Sequence, residues 1–165
     1  MQRRHFISAV AAAAAVSVSG MAVAQDTRPL RIIVPFPAGG STDMVPRNLQ
    51  DVLGKLLGQP VIVENKAGAG GSIGMAEVAR ATDGLTFGIA TLSTHGVNPA
   101  VYTKLPYNAI EDFVGVTEIV KAPGVIVINP KLIPAKNFAE LVAYLKANPG
   151  KVSYATPGNG TIGHM

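Results

Sequence analysis

Two short stretches carry residue types that could seat a negative charge. The first is Pro35-Phe36-Pro37-Ala38-Gly39-Gly40-Ser41-Thr42-Asp43, and the second is Thr156-Pro157-Gly158-Asn159-Gly160-Thr161. Glycine lets a ligand come close to the backbone and adopts positive φ at little cost. Ser41, Thr42 and Asp43 are all residue types that cap helix N-termini. A helix start offers unpaired N–H groups and about half a positive charge, a natural seat for a carboxylate or phosphate. Taken alone, the first stretch reads equally well as a tight strand–loop–helix turn. The second repeats its chemistry, glycines beside a hydroxyl, and the pair favours charge-assisted hydrogen bonds to one shared anion.

A third polar stretch, Thr91-Leu92-Ser93-Thr94-His95-Gly96-Val97-Asn98-Pro99, holds the histidine in the middle of the chain. In open parallel sheets ligands sit beside the carboxyl ends of strands, so Thr91, Ser93 and His95 are placed to join the first stretch. A lone loop histidine is more often a local hydrogen-bonding partner than a ligand or a base. Ser41, His95 and Asp43 are the ingredients of a hydrolase, but no Gly-x-Ser-x-Gly elbow accompanies them, and no enzyme is expected. Gly68-Ala69-Gly70-Gly71-Ser72-Ile73-Gly74 suggests a nucleotide loop. Its spacing is not that of a dinucleotide fingerprint, and no Gly-Lys-Ser/Thr follows. Small residues that let a helix pack closely on a sheet explain it better.

The elements that must hold these stretches are legible from pattern. Leu30–Val34 is a β-branched strand ended by Pro35. The apolar positions Val45, Leu49, Val52, Leu53, Leu56 and Leu57 paint one face of a helix of about fifteen residues, closed by Gly58. Pro46 is expected within or just after its first turn, where N–H groups are largely free. Pro60–Asn65 is a second strand, and strand–helix–strand order predicts a right-handed crossover and a parallel sheet. A second helix runs to about Ala81, and Leu85–Ala90 is a third strand after the Asp83-Gly84 turn. Residues 102–113 read as irregular. Val114–Val120 and Gly124–Ile128 are expected as strands crossing to a second lobe. Asn137 caps a helix over Phe138–Ala147, with Leu141, Val142 and Leu145 on its apolar face. Val152–Ala155 is a last strand, and Ile162-Gly163-His164-Met165 should open a helix. The two glycine stretches are then expected on opposite walls of an inter-lobe cleft, where ligand sites concentrate.

Met1–Ala24 reads as an export signal. Arg3 and Arg4 precede an apolar run, Ile7–Val18, and Ala22-Val23-Ala24 places cleavage before Gln25. The run is too short to span a bilayer. Arg3-Arg4-His5-Phe6-Ile7 is also similar to a twin-arginine signal, so both export routes stay open. Without Arg3 and Arg4 the formal charge falls from +4 to +2, and the remaining basic residues are dispersed. That argues against nucleic acid as a partner. With no cysteine, disulfides, thiolate metal sites and lipid attachment behind the signal are excluded. Stability must come from the core, and a chain of this size buries roughly two-thirds of its surface.

Many collinear pieces resemble the receptor proteins of tripartite tricarboxylate transporters, the Bug family of periplasmic solute receptors. They are Arg31–Gly40 with Thr42-Asp43, Leu57–Asn65, Gly68–Gly74, Asn98-Pro99, Leu105-Pro106-Tyr107, Asp112-Phe113, Asn129-Pro130, Tyr154-Ala155, Gly158–Thr161 and His164. The resemblance implies an α/β fold of the type II periplasmic binding protein kind. Residues 25–120 would form the first α/β lobe and residues 121–165 the start of the second. It implies a periplasmic monomer that needs no cofactor and binds a dicarboxylate, tricarboxylate or amino acid. The partner would be membrane permease subunits or, in an alternative the residues do not separate, a membrane sensor protein.

The resemblance also implies the site. One ligand carboxylate is gripped by both glycine loops, through backbone N–H groups and bridging water. Phe36, Ala38, Gly39, Gly40, Ser41, Thr42 and Asp43 would form the first wall. Ala155, Gly158, Asn159, Gly160, Thr161 and His164 would form the second, with Thr91, Ser93 and His95 on the floor. Ala81-Thr82-Asp83-Gly84 departs from the family in lacking a proline, as does Pro46 in replacing a helix former. Family members are also roughly twice as long, so the part of the pocket that reads the rest of the ligand is expected beyond Met165. The isolated 165-residue chain is accordingly expected to bind acids weakly or not at all, and a non-functional fragment is the remaining alternative.

Overall fold

A computed structural model describes residues 28–165; the export signal expected over Met1–Ala24 lies outside them. Three strands form a parallel sheet: β1 (Leu30–Val34), β2 (Val61–Asn65) and β3 (Thr86–Gly88), in the order β2-β1-β3. Helix α1 (Ser41–Leu57) links β1 to β2, and α2 (Ser72–Arg80) links β2 to β3. A wide helical turn (Ser93–Val97) then runs into the short α3 (Asn98–Val101), and α4 (Phe138–Ala147) comes last. The polar stretch after β3, expected as a loop, is therefore helical.

Central strand β1 is buried on both faces, as parallel sheets require. Ile32 and Val34 cluster with Val61, Val63 and Leu53, whereas Ile33 points to the opposite face and is fully buried. Met75 and Ala76 of α2 pack with Tyr107, which holds the irregular 102–113 segment onto the first helical layer. Arg31 bonds Glu64 on β2 at 2.6 Å and Glu77 on α2 at 2.7 Å. These bonds hold the Arg31 pKa above, and the Glu64 pKa below, their usual ranges.

Helix α1 departs from expectation at its cap and along its apolar face. Its N-cap is Gly40, with extended backbone and no side-chain cap. Pro46 is the sixth helical residue, just after the first turn as expected, and it is buried. The missing N–H leaves the Thr42 carbonyl without its usual intrahelical donor. On the anticipated apolar face only Leu53 joins the sheet cluster, and Leu56 is 78% exposed. Gly58 does end the helix in the left-handed conformation, φ 66°. In α4 the Asn137 side chain accepts from the Glu140 N–H at 3.0 Å, and Glu140 reaches back to the N–H of Lys136, one residue before the cap, at 2.8 Å, a variant of the capping box.

The strands expected over Val114–Val120, Gly124–Ile128 and Val152–Ala155 are not formed; these segments have no regular structure. A β-branched run becomes a strand only where a neighbour supplies the ladder, and none of the described residues pairs with them. Val125 and Val127 stay 80% and 84% exposed as a result. Residues 162–165 make a single turn, with His164 N–H donating to the Thr161 carbonyl at 2.9 Å, and not a helix. Among the described residues no helix is long and apolar enough to cross a membrane.

Ile33 is the test of this core. Ile33→Ala should lower unfolding stability by about 2–5 kcal/mol, read as a fall in the urea midpoint at unchanged m-value. An unchanged midpoint would place the core elsewhere.

Candidate ligand-binding cleft

The chain leaves β1 through buried Pro35 and turns at Gly39, whose φ of 89° favours glycine. Asp43, in the first turn of α1, reaches back to organise that turn. Its Oδ2 accepts the Gly39 N–H at 2.8 Å, and its Oδ1 accepts from Arg47 Nε and Asn65 Nδ2, both at 2.9 Å. Asn65 Nδ2 also donates to the Phe36 carbonyl at 3.0 Å. Asp43 is only 3% exposed. The Arg47 guanidinium, then the Gly39 N–H and the Asn65 amide, hold its carboxyl down at a pKa of about 2. Asp43 thus faces its own loop, and the Gly39 N–H is already occupied.

Beside this loop lies a cleft of about 430 Å³, lined by Pro35, Phe36 and Pro37, by Gly68 to Gly71, by Tyr102, and by Pro157, Gly158 and Asn159. None of these lining residues is Asp, Glu, His, Lys or Arg. Of the anticipated residues, the structure brings Phe36, Gly158 and Asn159 together on it. Ala38, Gly39, Gly40 and Ser41 are exposed beyond its rim, with Thr42 half-buried behind them. A Cβ added at Gly39 or Gly158 would meet nothing within 4 Å, so both backbones are open to approach.

The rest of the second stretch is turned inward or away. Thr161 is buried, and its hydroxyl donates to the Gly158 carbonyl at 2.7 Å. Gly160 is buried, while Ala155 and His164 are exposed off the cleft. On the expected floor, Ser93 Oγ accepts the Ile162 N–H at 3.1 Å and so joins the stretch after β3 to the end of the second glycine stretch. Thr91 and Thr94 bond each other, the Thr91 N–H donating to Thr94 Oγ1 at 3.0 Å. His95 packs edge-on against Phe113, ring centroids 4.8 Å apart, with Thr94 Oγ1 2.9 Å from its Nδ1. Burial pushes its pKa down. The histidine serves an aromatic cluster and does not line the cleft.

The wall that sequence reasoning missed is Gly68–Gly71. It makes a tight turn in which the Gly71 N–H donates to the Gly68 carbonyl at 2.9 Å. The packing role expected for this stretch holds at two positions. A Cβ at Gly71 would come within 2.7 Å of Thr94, and one at Gly74 within 2.9 Å of the Lys66 carbonyl. The turn nevertheless lines the cleft as well. Its position at the carboxyl end of β2 was the available signal, the same rule that singled out the stretch after β3.

The family model described as "Tripartite tricarboxylate transporter family receptor" matches residues 45–165. Two proteins of Bordetella pertussis are each 41% identical to the chain. One, a protein of the UPF0065 group, aligns over 84% of it, and the other, protein BugT, over 91%. The chain spans less than half the length of either relative, 43% and 48%. Among solved structures, one described as a periplasmic transporter superposes with TM-score 0.72 at 50% identity, over 79% of this chain and 44% of its own. Rpa4515 of R. palustris, determined with adipate, gives 0.70 at 33% identity, over 77% and 42%. MatC of Rhodopseudomonas palustris, with bound malate, gives 0.62 at 33%, over 74% and 42%.

Asp43 gives a pH-dependent test. Its folded pKa lies below the unfolded value of 3.8, so its contribution to stability is present above about pH 4 and is lost as pH falls towards 2. Asp43→Asn should be less stable than the parent at pH 7, and the difference should shrink steadily between pH 4 and 2 in urea melts. Equal stability at pH 7 would mean that the carboxylate does not hold the loop.

Proposed function

Because this chain belongs to the tripartite tricarboxylate transporter family of receptors, we propose that it captures a small organic acid in the cleft between its glycine turns. The observation that carries this reading is the wall chemistry. Three backbone turns, two of them rich in glycine, converge on one cavity whose lining holds no Asp, Glu, His, Lys or Arg. Oriented N–H groups at such turns and at helix starts favour anions without a counter-ion. The cavity volume falls in the range usual for small-molecule sites. Two of the similar structures were solved with adipate and with malate, both dicarboxylates, which supports the same ligand class here.

On this reading the first wall comprises Phe36, with the exposed backbone from Ala38 to Ser41 at its rim, and the second comprises Gly158 and Asn159. Asp43, Ser93, Thr161 and His95 act behind the walls, holding loops in place. No covalent chemistry is involved; the receptor hands its acid to membrane permease subunits, and it works in the periplasm.

Titration of the chain with malate and with adipate, followed by amide NMR shifts, tests the assignment. Saturable shifts are expected at Gly39, Gly40, Ser41, Gly158 and Asn159, with dissociation constants of about 1 mM, or ~4 kcal/mol. Shifts confined to other surfaces, or none, would overturn it. Gly40 has extended backbone, which valine also adopts, so Gly40→Val should keep the fold. It should weaken both acids at least about tenfold by blocking approach to the backbone, a loss of ~1.4 kcal/mol. Unchanged affinity would remove Gly40 from the site.

A further inference from the structure

We infer that Asn98 and Tyr102 are positioning residues: together they latch the Gly158–Gly160 wall onto the Gly68–Gly71 wall and so set the width of the cleft. The inference rests on the carboxylate-binding reading for its functional consequence, but the latch itself is a matter of contacts.

Asn98 opens α3 and is fully buried. Its Nδ2 donates to the Gly70 carbonyl at 3.0 Å, which ties it to the first wall. Its Oδ1 is buried with no hydrogen-bond partner among the described residues. An unsatisfied buried oxygen is costly and calls for a reason. The reason lies in where it points. It sits 2.9 Å from the position a Cβ on Gly70 would take and 3.0 Å from that on Gly160. Both glycines have left-handed backbone, φ 63° and 78°. The amide oxygen is wedged between two Cα–H groups, one from each wall, where only weak Cα–H···O contacts are available. Any side chain at either position would push the walls apart.

Tyr102 completes the latch. It follows the last residue of α3, and its hydroxyl donates to the Asn159 carbonyl at 3.1 Å. Its ring lies 2.7 Å from where a Gly160 Cβ would stand. On the far side of the same loop, the Ile162 N–H donates to Ser93 Oγ. Thus residues 93–102, a short helical stretch and the residue that follows it, reach both walls, which also meet where the Asn159 carbonyl lies 2.8 Å from the position of a Gly70 Cβ. Gly70 and Gly160 are required by this packing. Gly39 and Gly158, with open space above them, are the glycines a ligand can approach.

The Ile162 amide is a built-in reporter, because it is protected only while the second loop is docked. In ligand-free chain, Tyr102→Phe keeps the ring and removes one hydrogen bond. Hydrogen exchange at Ile162 should therefore quicken about three- to tenfold, with the β1 and β2 amides unchanged. Malate and adipate should weaken by a similar factor. Unaltered exchange at Ile162, or a matching loss of protection across β1 and β2, would overturn the latch. Faster exchange with unchanged affinity would overturn the positioning role. Asn98→Ala should exceed Tyr102→Phe in the same direction; if it does not fold, Tyr102→Phe decides alone. Should the parent chain bind neither acid, the functional reading falls, while the exchange comparison still decides the latch.

Discussion

One buried carboxylate constrains the first wall of the cleft. Asp43 accepts from the Gly39 backbone, from Arg47 a turn further along α1 and from Asn65 at the end of β2. A single side chain therefore joins the loop, the helix and the neighbouring strand. Asn65 extends the same network to the Phe36 carbonyl. An acidic group in the first turn is also favoured by the helix dipole. The nearby Arg47 offsets its charge, so the mouth of α1 is left close to neutral. Any anion received there must be held by the N–H groups that Asp43 does not occupy.

This explains why some of the molecule was legible from sequence. β1, α1, β2, α2 and α4 follow from local signals: β-branched runs, a helical stripe, Gly58 as a left-handed stop, and Asn137 three residues before Glu140. The parallel order followed from strand–helix–strand succession. Val114–Val120 and Gly124–Ile128 carry the same β-branched signal and form no strand, because pairing is a property of two segments and not of one. Asp43 was recognised as a residue that acts at a helix start, but its partner is the Gly39 N–H and its burial depends on Asn65, far along the chain. Composition contains neither fact.

The site divides in the same way. Phe36, Gly158 and Asn159 were legible because strand–glycine–helix units announce themselves locally. The Gly68–Gly71 wall was legible only as packing, since lining a cleft depends on what stands opposite. His95 shows the converse: its residue type suggests chemistry, yet its surroundings are Phe113, Tyr107 and Thr94. Glycine is equally ambiguous in sequence. At Gly39 and Gly158 the absent side chain leaves open space, whereas at Gly70 and Gly160 it admits the Asn98 oxygen. Only the neighbours distinguish an approach from a contact.

Walls without a lysine, arginine or histidine have a consequence for how such a receptor would work. A fixed lysine or arginine would hold an anion on one wall alone, whether or not the other wall was present. Backbone dipoles are weaker singly and act over a shorter range, so useful affinity needs several of them converging on the same oxygen atoms. Convergence depends on wall separation, which residues 93–102 govern by touching both sides. Capture and release of an acid then become matters of geometry, with the bound state present only while the walls are held at the right distance.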